Sequence, residues 1–290
     1  MTHDRASEQT TVASDQIQPW SEALEQLYSE FRKRSRAALK DYEVEDIHQA
    51  RVSARKLLTL IQILDPDGET GLYRIIKKAQ KRFGRVRDAD VMIADFKKLR
   101  QSAKSEGQME EAKLYKKMTK LEKSERDRQR KKLSRKLPKI INRKLDKRWQ
   151  NFIEQELPDF VGQADVRSSL RMLKDDYRKR RHMYQVTADR EGASSEQSLD
   201  ALHQVRIAAK RFRYTAEAAA FALEAKQAEE AKHFKKVQKK LGDVNDRHVR
   251  IQIVEDYGAE ALNTDEESWN LFRSRLDEQL KTALSEVGEL

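Results

Sequence analysis

The sequence of 290 residues contains no cysteine, which excludes disulfide bonds, thiolate metal sites and cysteine nucleophiles. It contains only nine glycines and four prolines, so few residues would interrupt a helix. No stretch approaches the roughly 18 uncharged apolar residues of a membrane span, and the N-terminal residues lack the apolar core of a secretory signal. We therefore expect a cytoplasmic protein that has no membrane segment.

Helix-forming residues and charge dominate what is present. Ala, Leu, Glu, Lys, Arg and Gln are abundant, and no alternating strand pattern bounded by turns occurs, so we predict an all-α fold. The predicted helices span residues 21–40, 45–64, 71–83, 89–103, 109–136, 139–156, 165–187, 196–223, 226–241, 245–257 and 266–287. Charged residues make up 38% of the chain, with a net charge of +11, and this balance predicts a polyanionic partner.

Two stretches repeat one histidine followed by basic residues, namely 47–56 (IHQARVSARK) and 202–211 (LHQVRIAAKR). An α-helix turns about 100° per residue, so residues three and seven positions apart share a stripe. These stripes hold His48, Arg51 and Arg55 in the first copy, and His203, Arg206 and Lys210 in the second. The apolar residues of the first copy form a different stripe, made of Ile47, Ala50, Ala54, Leu57 and Ile61. The basic stripe is therefore free to bind an anion.

A second motif is also duplicated, because residues 77–88 align with 235–246 at nearly the same distance from each histidine. This order predicts two similar helical bundles, at 19–158 and 159–290, after a disordered tail at 1–18. If the bundles are related by a pseudo-two-fold axis, the two basic stripes could line one shared cleft.

Each copy of this second motif contains a glycine and, four residues later, an aspartate. We predict that Gly84 and Gly242 end a helix in the left-handed conformation, and that Asp88 and Asp246 cap the next helix. Some of the flanking cations should face the cleft, although the sequence does not tell which. They are Lys78, Lys81, Arg82, Lys236, Lys239 and Lys240.

Twelve basic residues and two acidic ones lie between Arg126 and Arg148. Leucines and isoleucines at helical intervals predict a packed helix pair here. A solvated surface and a phosphate-binding surface fit this segment equally well. Further anion-binding candidates are Arg126 and Arg130, and, on the first helix, Arg32 and Arg36.

The sequence offers little for catalysis. It contains no phosphate loop, no His-Glu-x-x-His zinc pair and no nucleophile elbow. Asp88 and Asp90 could hold a divalent cation, but the second copy reads Asp246-Arg247-His248 and does not reproduce the pair. We therefore expect no metal, no cofactor and no enzymatic activity.

The duplicated motifs together resemble those of the CHAD family, the conserved histidine α-helical domains. The resemblance covers nearly the whole chain from about residue 19, and it implies two four-helix bundles around a basic central channel. It also implies non-catalytic binding of inorganic polyphosphate, with polyphosphate granules as a candidate partner. The implied site residues are His48, Arg51, Arg55 and Lys56 in the first half, and His203, Arg206, Lys210 and Arg211 in the second. Arg213 adds a further cation where the first half has Leu58, so we expect the second half to be the more basic wall.

Two other functions compete with this one. A nucleic-acid-binding protein would show the same net charge, but no stacking platform is duplicated, because Leu57 and Leu58 stand where the second copy has Phe212 and Arg213. An enzyme acting on polyphosphate or nucleotides could use one of the duplicated histidines, but it would lack a set of metal-binding carboxylates. Protonation of the histidines predicts tighter polyphosphate binding at mildly acidic pH.

Overall fold

The computed structural model describes residues 4–287, and the side chains of these residues except 4–16 and 228. The predicted all-α class is confirmed, since this part of the chain contains helices and no strand. The α-helices are α1 (Asp4–Lys40), α2 (Val44–Leu64), α3 (Leu72–Ser105), α4 (Met109–Ile140), α5 (Arg143–Asn151), α6 (Leu157–Gln163), α7 (Val166–Glu191), α8 (Glu196–Ala218), α9 (Ala225–Ala261) and α10 (Glu266–Val287). A π-helical segment, Phe152–Glu156, precedes α6, and a 3₁₀ turn, Ala220–Ala222, follows α8. None of the helices described is long and apolar enough to cross a membrane.

The chain forms two compact units, each with one histidine helix. Unit 1 consists of Met1–Asp90, Glu125–Val166 and Ala218–Ala222, and unit 2 consists of Val91–Ser124, Arg167–Glu217 and Leu223–Leu290. Helices α3 and α4 therefore contribute residues to both units. The boundary predicted near residue 158 and the pseudo-two-fold relation stay predictions.

The core of unit 1 contains the apolar stripe predicted for α2. All five of its residues, Ile47, Ala50, Ala54, Leu57 and Ile61, have no exposed surface. On another side of this unit, Trp149 of α5 stacks on Tyr28 of α1 with ring centroids 4.2 Å apart. Because the apolar stripe of α2 is completely buried, the basic stripe of the same helix must point elsewhere.

The core of unit 2 joins α7, α8 and α9 through aromatic contacts. Phe212 of α8 lies against Phe234 of α9 with centroids 4.1 Å apart, and Tyr177 of α7 meets the same ring edge-on at 4.9 Å. Phe212 follows Leu202, Val205 and Ala209 along the buried stripe of α8. This packing fixes the rotation of α8 and so the direction of its basic residues.

The helix ends predicted at Gly84 and Gly242 are wrong. Gly84 lies inside α3 and Gly242 inside α9, and neither has a positive φ. The burial of apolar residues explains the difference. Phe83 and Val86 flank Gly84 in α3, and both are buried, as are their counterparts in α9. They continue one apolar stripe of the helix past the glycine. Asp88 and Asp246 consequently stand within these helices and do not cap a new one.

Gly242→Ala is expected to stabilise the protein by about 0.5–1 kcal/mol, because alanine has the higher helix propensity. An added Cβ meets no heavy atom within 4 Å at this position. Urea unfolding followed by circular dichroism would measure the change. A loss of stability would contradict the helical conformation and would favour the left-handed one.

The predicted disordered tail overlaps α1. The backbone is helical from Asp4 onward, and no glycine or proline between residues 4 and 18 would stop a helix that extends from the buried Trp20. The tail's first three residues lie outside the described residues. This part of α1 therefore differs from the expectation of a disordered segment.

Candidate functional site

The basic stripe of α2 lies half-buried in unit 1. It comprises His48, Arg51 and Arg55, which we call the α2 face. Gly84 of α3 stands beside it, and a Cβ at that glycine would lie 3.5 Å from Nε of Arg51. Gly84 therefore lets an arginine of α2 come close to the backbone of α3, whereas a Cβ at Gly242 would meet no heavy atom within 4 Å.

Helix α3 adds further cations to the α2 face. Burial lowers the pKa of His48, and the positive charge of Arg87 lowers it further. Burial also lowers the pKa of Lys77, with smaller effects from Lys81 and Arg51. Both shifts result first from burial and then from nearby cations, so cations of α2 and α3 lie close together in a poorly solvated place. Such a place favours an anion that can satisfy several cations at once.

A second group of cations in unit 1 surrounds a buried carboxylate. Nη1 of Arg126 and Nη2 of Arg130 each lie 3.9 Å from Oδ1 of Asp90. Arg130 also donates a hydrogen bond to the carbonyl oxygen of Tyr42 at 2.9 Å and lies over its ring. Arg87 is close enough to lower the pKa of Asp90. We call Arg87, Arg126 and Arg130 the arginine cluster.

The histidine of unit 2 has a neutral neighbour. Nδ1 of His203 lies 2.5 Å from Oδ1 of Asn245 on α9. Because an amide oxygen only accepts hydrogen bonds, this contact assigns a proton to Nδ1. The other nitrogen, Nε2, then donates a hydrogen bond to an anion only when the ring is protonated.

The basic stripe of α8 contains His203, Arg206, Lys210 and Arg213, which we call the α8 face. Burial lowers the pKa of Arg206, although Asp246 opposes this effect, and the closest atoms of the two side chains are 3.7 Å apart. Arg213 lies over the ring of Tyr214 and 3.5 Å from Glu217. Acidic side chains therefore accompany the cations of this face.

A known domain family matches the part of the chain that contains both the α2 face and the α8 face. A model of the CHAD domain matches residues 22–255, a range that begins in α1 and ends in α9. The chain belongs to the CHAD family. The predicted resemblance is confirmed, and the CHAD match includes both histidine helices and both glycine motifs.

Structural similarity agrees with the CHAD assignment. The fold is similar to the crystal structure of the CHAD domain from the plant Ricinus communis, with a TM-score of 0.57 and 19% sequence identity over 91% of each chain. At 19% sequence identity, this structural similarity is evidence for the fold alone. No curated protein matches the sequence.

The first half of this CHAD domain lacks a counterpart of Arg213 for a structural reason. Leu58 is 4% exposed and belongs to the core of unit 1. An arginine at that position would bury a charge without a partner. Unit 1 instead receives its additional cations from α3 and α4.

The remaining predicted residues have varied surroundings. The guanidinium of Arg32 is occupied by Asp146 at 2.9 Å and by the carbonyl oxygen of Ile141 at 2.8 Å. Arg211 lies on the exposed side of α8, 3.9 Å from Asp176. Arg82 is half-buried, and the exposed candidates are Arg36, Lys56, Lys78, Lys81, Lys236, Lys239 and Lys240. Lys81 lies close enough to Lys77 to lower its pKa, as Arg51 of the α2 face also does. For all of these residues, a role in anion binding stays a prediction.

Sequence reasoning missed Lys77 and Arg87 as site residues. A usable signal was present, because both lie one or two helical turns from Gly84. The predicted helix break at this glycine separated Arg87 from the preceding turns. A continuous α3 would have placed Lys77, Gly84 and Arg87 on adjoining parts of one surface.

The described residues hold no metal-ligand cluster. Among the side chains that the structure describes, those of residues 17–287 except 228, no group of three or more histidines, aspartates and glutamates could hold a metal ion. Asp90, one of the two carboxylates considered for a divalent cation, has arginines around it, which repel cations.

Proposed function

We propose that this CHAD protein binds inorganic polyphosphate, without catalysing its turnover, through the α2 face and the α8 face. Polyphosphate binding is associated with the CHAD domain. The observation that carries the proposal is the occurrence in each unit of a half-buried histidine on the same helical stripe as a half-buried arginine. These groups have limited contact with water, so a ligand with closely spaced phosphates gains more from them than from exposed lysines.

The chemistry of the two faces suits phosphate. Arginine presents a planar set of donors that can bind two phosphate oxygens, and lysine adds a compact charge. A protonated histidine contributes one more N–H donor. The two faces do not share an aromatic platform, because Tyr214, whose ring lies beside Arg213, has Thr59 as its counterpart in the first copy. The faces therefore lack the repeated base stacking of single-strand binders.

Isothermal titration calorimetry with polyphosphate of one defined length tests this function. We expect strong binding that weakens steeply with salt, because bound polymer releases its counterions. Competition with single-stranded DNA at equal phosphate concentration is the decisive control. If DNA displaced the polymer, a nucleic-acid-binding function would replace the proposed one.

The shared channel that the resemblance implies stays a prediction. The number of polymer chains bound per protein tests it, since a channel lined by both faces takes one chain. Phosphate release in the presence of Mg²⁺ or Mn²⁺ tests the absence of catalysis. Release that disappeared in His48→Gln and His203→Gln would favour an enzyme.

Binding is expected to tighten about three- to tenfold between pH 7.5 and pH 6.0, because bound phosphate raises the pKa of nearby histidines. In the free protein burial lowers the pKa of His48, so acidification below the ordinary pKa of histidine costs folding stability. Bound phosphate offsets this cost by favouring the charged form. Calorimetry at both pH values should show proton uptake on binding.

The variant His48→Gln/His203→Gln should lose most of this pH dependence. His182→Gln is the matched control, since His182 is exposed on α7. An identical pH dependence in the wild type and the double variant would exclude the two histidines as the groups that titrate.

A further inference from the structure

Asp90 is a buried carboxylate at the middle of α3. Its side chain is 3% exposed, and its neighbours are the three residues of the arginine cluster. The closest contacts are 3.9 Å long, which is longer than a hydrogen bond. Oδ2 is buried and, within the described residues, has no hydrogen-bond partner. The carboxylate therefore compensates charge without being tied to any one arginine.

Burial raises the pKa of Asp90, and Arg130, Arg126 and Arg87 lower it only in part. A neutral side chain of the same shape would avoid the cost of removing a charge from water. The position of Oδ1 beside both Arg126 and Arg130 points to an effect of this charge on the two arginines.

The second copy of the motif lacks this pair of charges. Asn245 stands at the position of Arg87, and His248 stands at the position of Asp90. The first copy has three arginines in all, Arg82, Arg85 and Arg87, where the second has none. Of these arginines, Arg87 is the one that lies close to a buried anion just beyond the motif. Arg87 and Asp90 are three residues apart on one helix, close enough to act on each other.

We propose that Asp90 is an internal counterion of the arginine cluster and lowers the affinity of the cluster for phosphate polymers. This inference rests on the proposed function and extends the binding site to the arginine cluster, because Arg87 of the cluster also lies near His48 of the α2 face. In the free protein the carboxylate takes the place of one solution anion near Arg126 and Arg130. In the complex it repels the phosphate that these arginines attract. Asp90 thus acts through its charge, beside arginines that contact the polymer themselves, and not by orienting them.

Asp90→Asn is the variant that tests this inference, because it keeps the shape and removes the charge. We expect polyphosphate to bind about tenfold more tightly to this variant at moderate salt, since a unit charge a few ångströms away acts strongly in a poorly solvated site. We also expect the plot of log affinity against log salt to become steeper by about one. In the free variant, one more anion from solution neutralises the cluster, and this anion is released when the polymer binds.

The steeper salt dependence separates this role from a structural one. An anchor that only orients Arg126 and Arg130 would, when removed, weaken binding and leave the slope unchanged or smaller. Asp90→Glu keeps the charge and should keep the slope of the wild type. Asp127→Asn is the matched control, because Asp127 is exposed and contacts Arg126 at 3.2 Å. We expect its affinity to change less than about threefold.

Each outcome decides the inference. Equal or weaker binding by Asp90→Asn with an unchanged slope would overturn it, as would a failure of Asp90→Asn to fold, which would make Asp90 a structural anchor. A failure of the proposed function would look different, because the wild type itself would not bind polyphosphate. The same comparison would then be made with single-stranded DNA if that polyanion binds the wild type.

Discussion

Replacement of Arg51 and Arg206 by glutamine in one protein is expected to weaken polyphosphate binding by a factor of about 100 to 10,000. Each arginine is half-buried on its face, and a charge-assisted hydrogen bond contributes about 1.5–3 kcal/mol. Two such losses add because the residues belong to different units. Calorimetry with polyphosphate of one defined length would measure the loss.

Glutamine leaves the fold little changed at either position. It is a good helix former, and the carboxylate released from Arg206 belongs to Asp246, whose side chain is 71% exposed and stays hydrated. At Arg51 the neighbour on α3 is Gly84, which has no side chain that would lose a partner. The loss of affinity should therefore come without a comparable loss of stability.

Arg128→Gln/Arg178→Gln is the matched control for this experiment. It makes the same change in net charge, again with one substitution in each unit. Both arginines are exposed and pair with an acidic residue three positions earlier on their own helix, so each contributes little. We expect an affinity within about threefold of the wild type. Equal effects of the two double variants would mean that net charge alone determines binding.

Features that depend on a single helix could be predicted from the sequence, whereas features that depend on packing between helices could not. In α2 the period of the apolar residues predicted the buried stripe and, by exclusion, the basic face. That step needs only the geometry of a single helix. In α3 the same rule applied, but a glycine was interpreted as a helix end, and the burial of Phe83 and Val86 decided otherwise. Tertiary packing overrode the local preference of glycine.

The composition of the candidate site could be predicted only in part. The stripe of α2 depends on its own sequence, whereas the contributions of Arg87, Arg126 and Asp90 depend on how α3 and α4 pack beside one another in unit 1. A single sequence contains no measure of that contact. Arg32 illustrates the same limit, because its occupation by Asp146 joins residues far apart along the chain.

Phe212→Ala is expected to destabilise unit 2 by about 3–5 kcal/mol, the usual cost of removing a buried phenylalanine side chain. Phe212 is 1% exposed, and its loss leaves Phe234 without the ring that lies 4.1 Å away. Of the ring contacts that Phe234 makes with α7 and α8, only the edge-on contact with Tyr177 then remains. Urea unfolding followed by circular dichroism would measure the change.

The substitution also tests how packing supports the α8 face. Phe212 holds α8 in the rotation at which His203 contacts Asn245, so a looser α8 should weaken polyphosphate binding even under conditions where the protein remains folded. Phe212→Leu retains most of the apolar volume and is expected to cost less than half as much stability. If Phe212→Ala lowered stability by the expected amount and left binding unchanged, the α8 face would not depend on this contact.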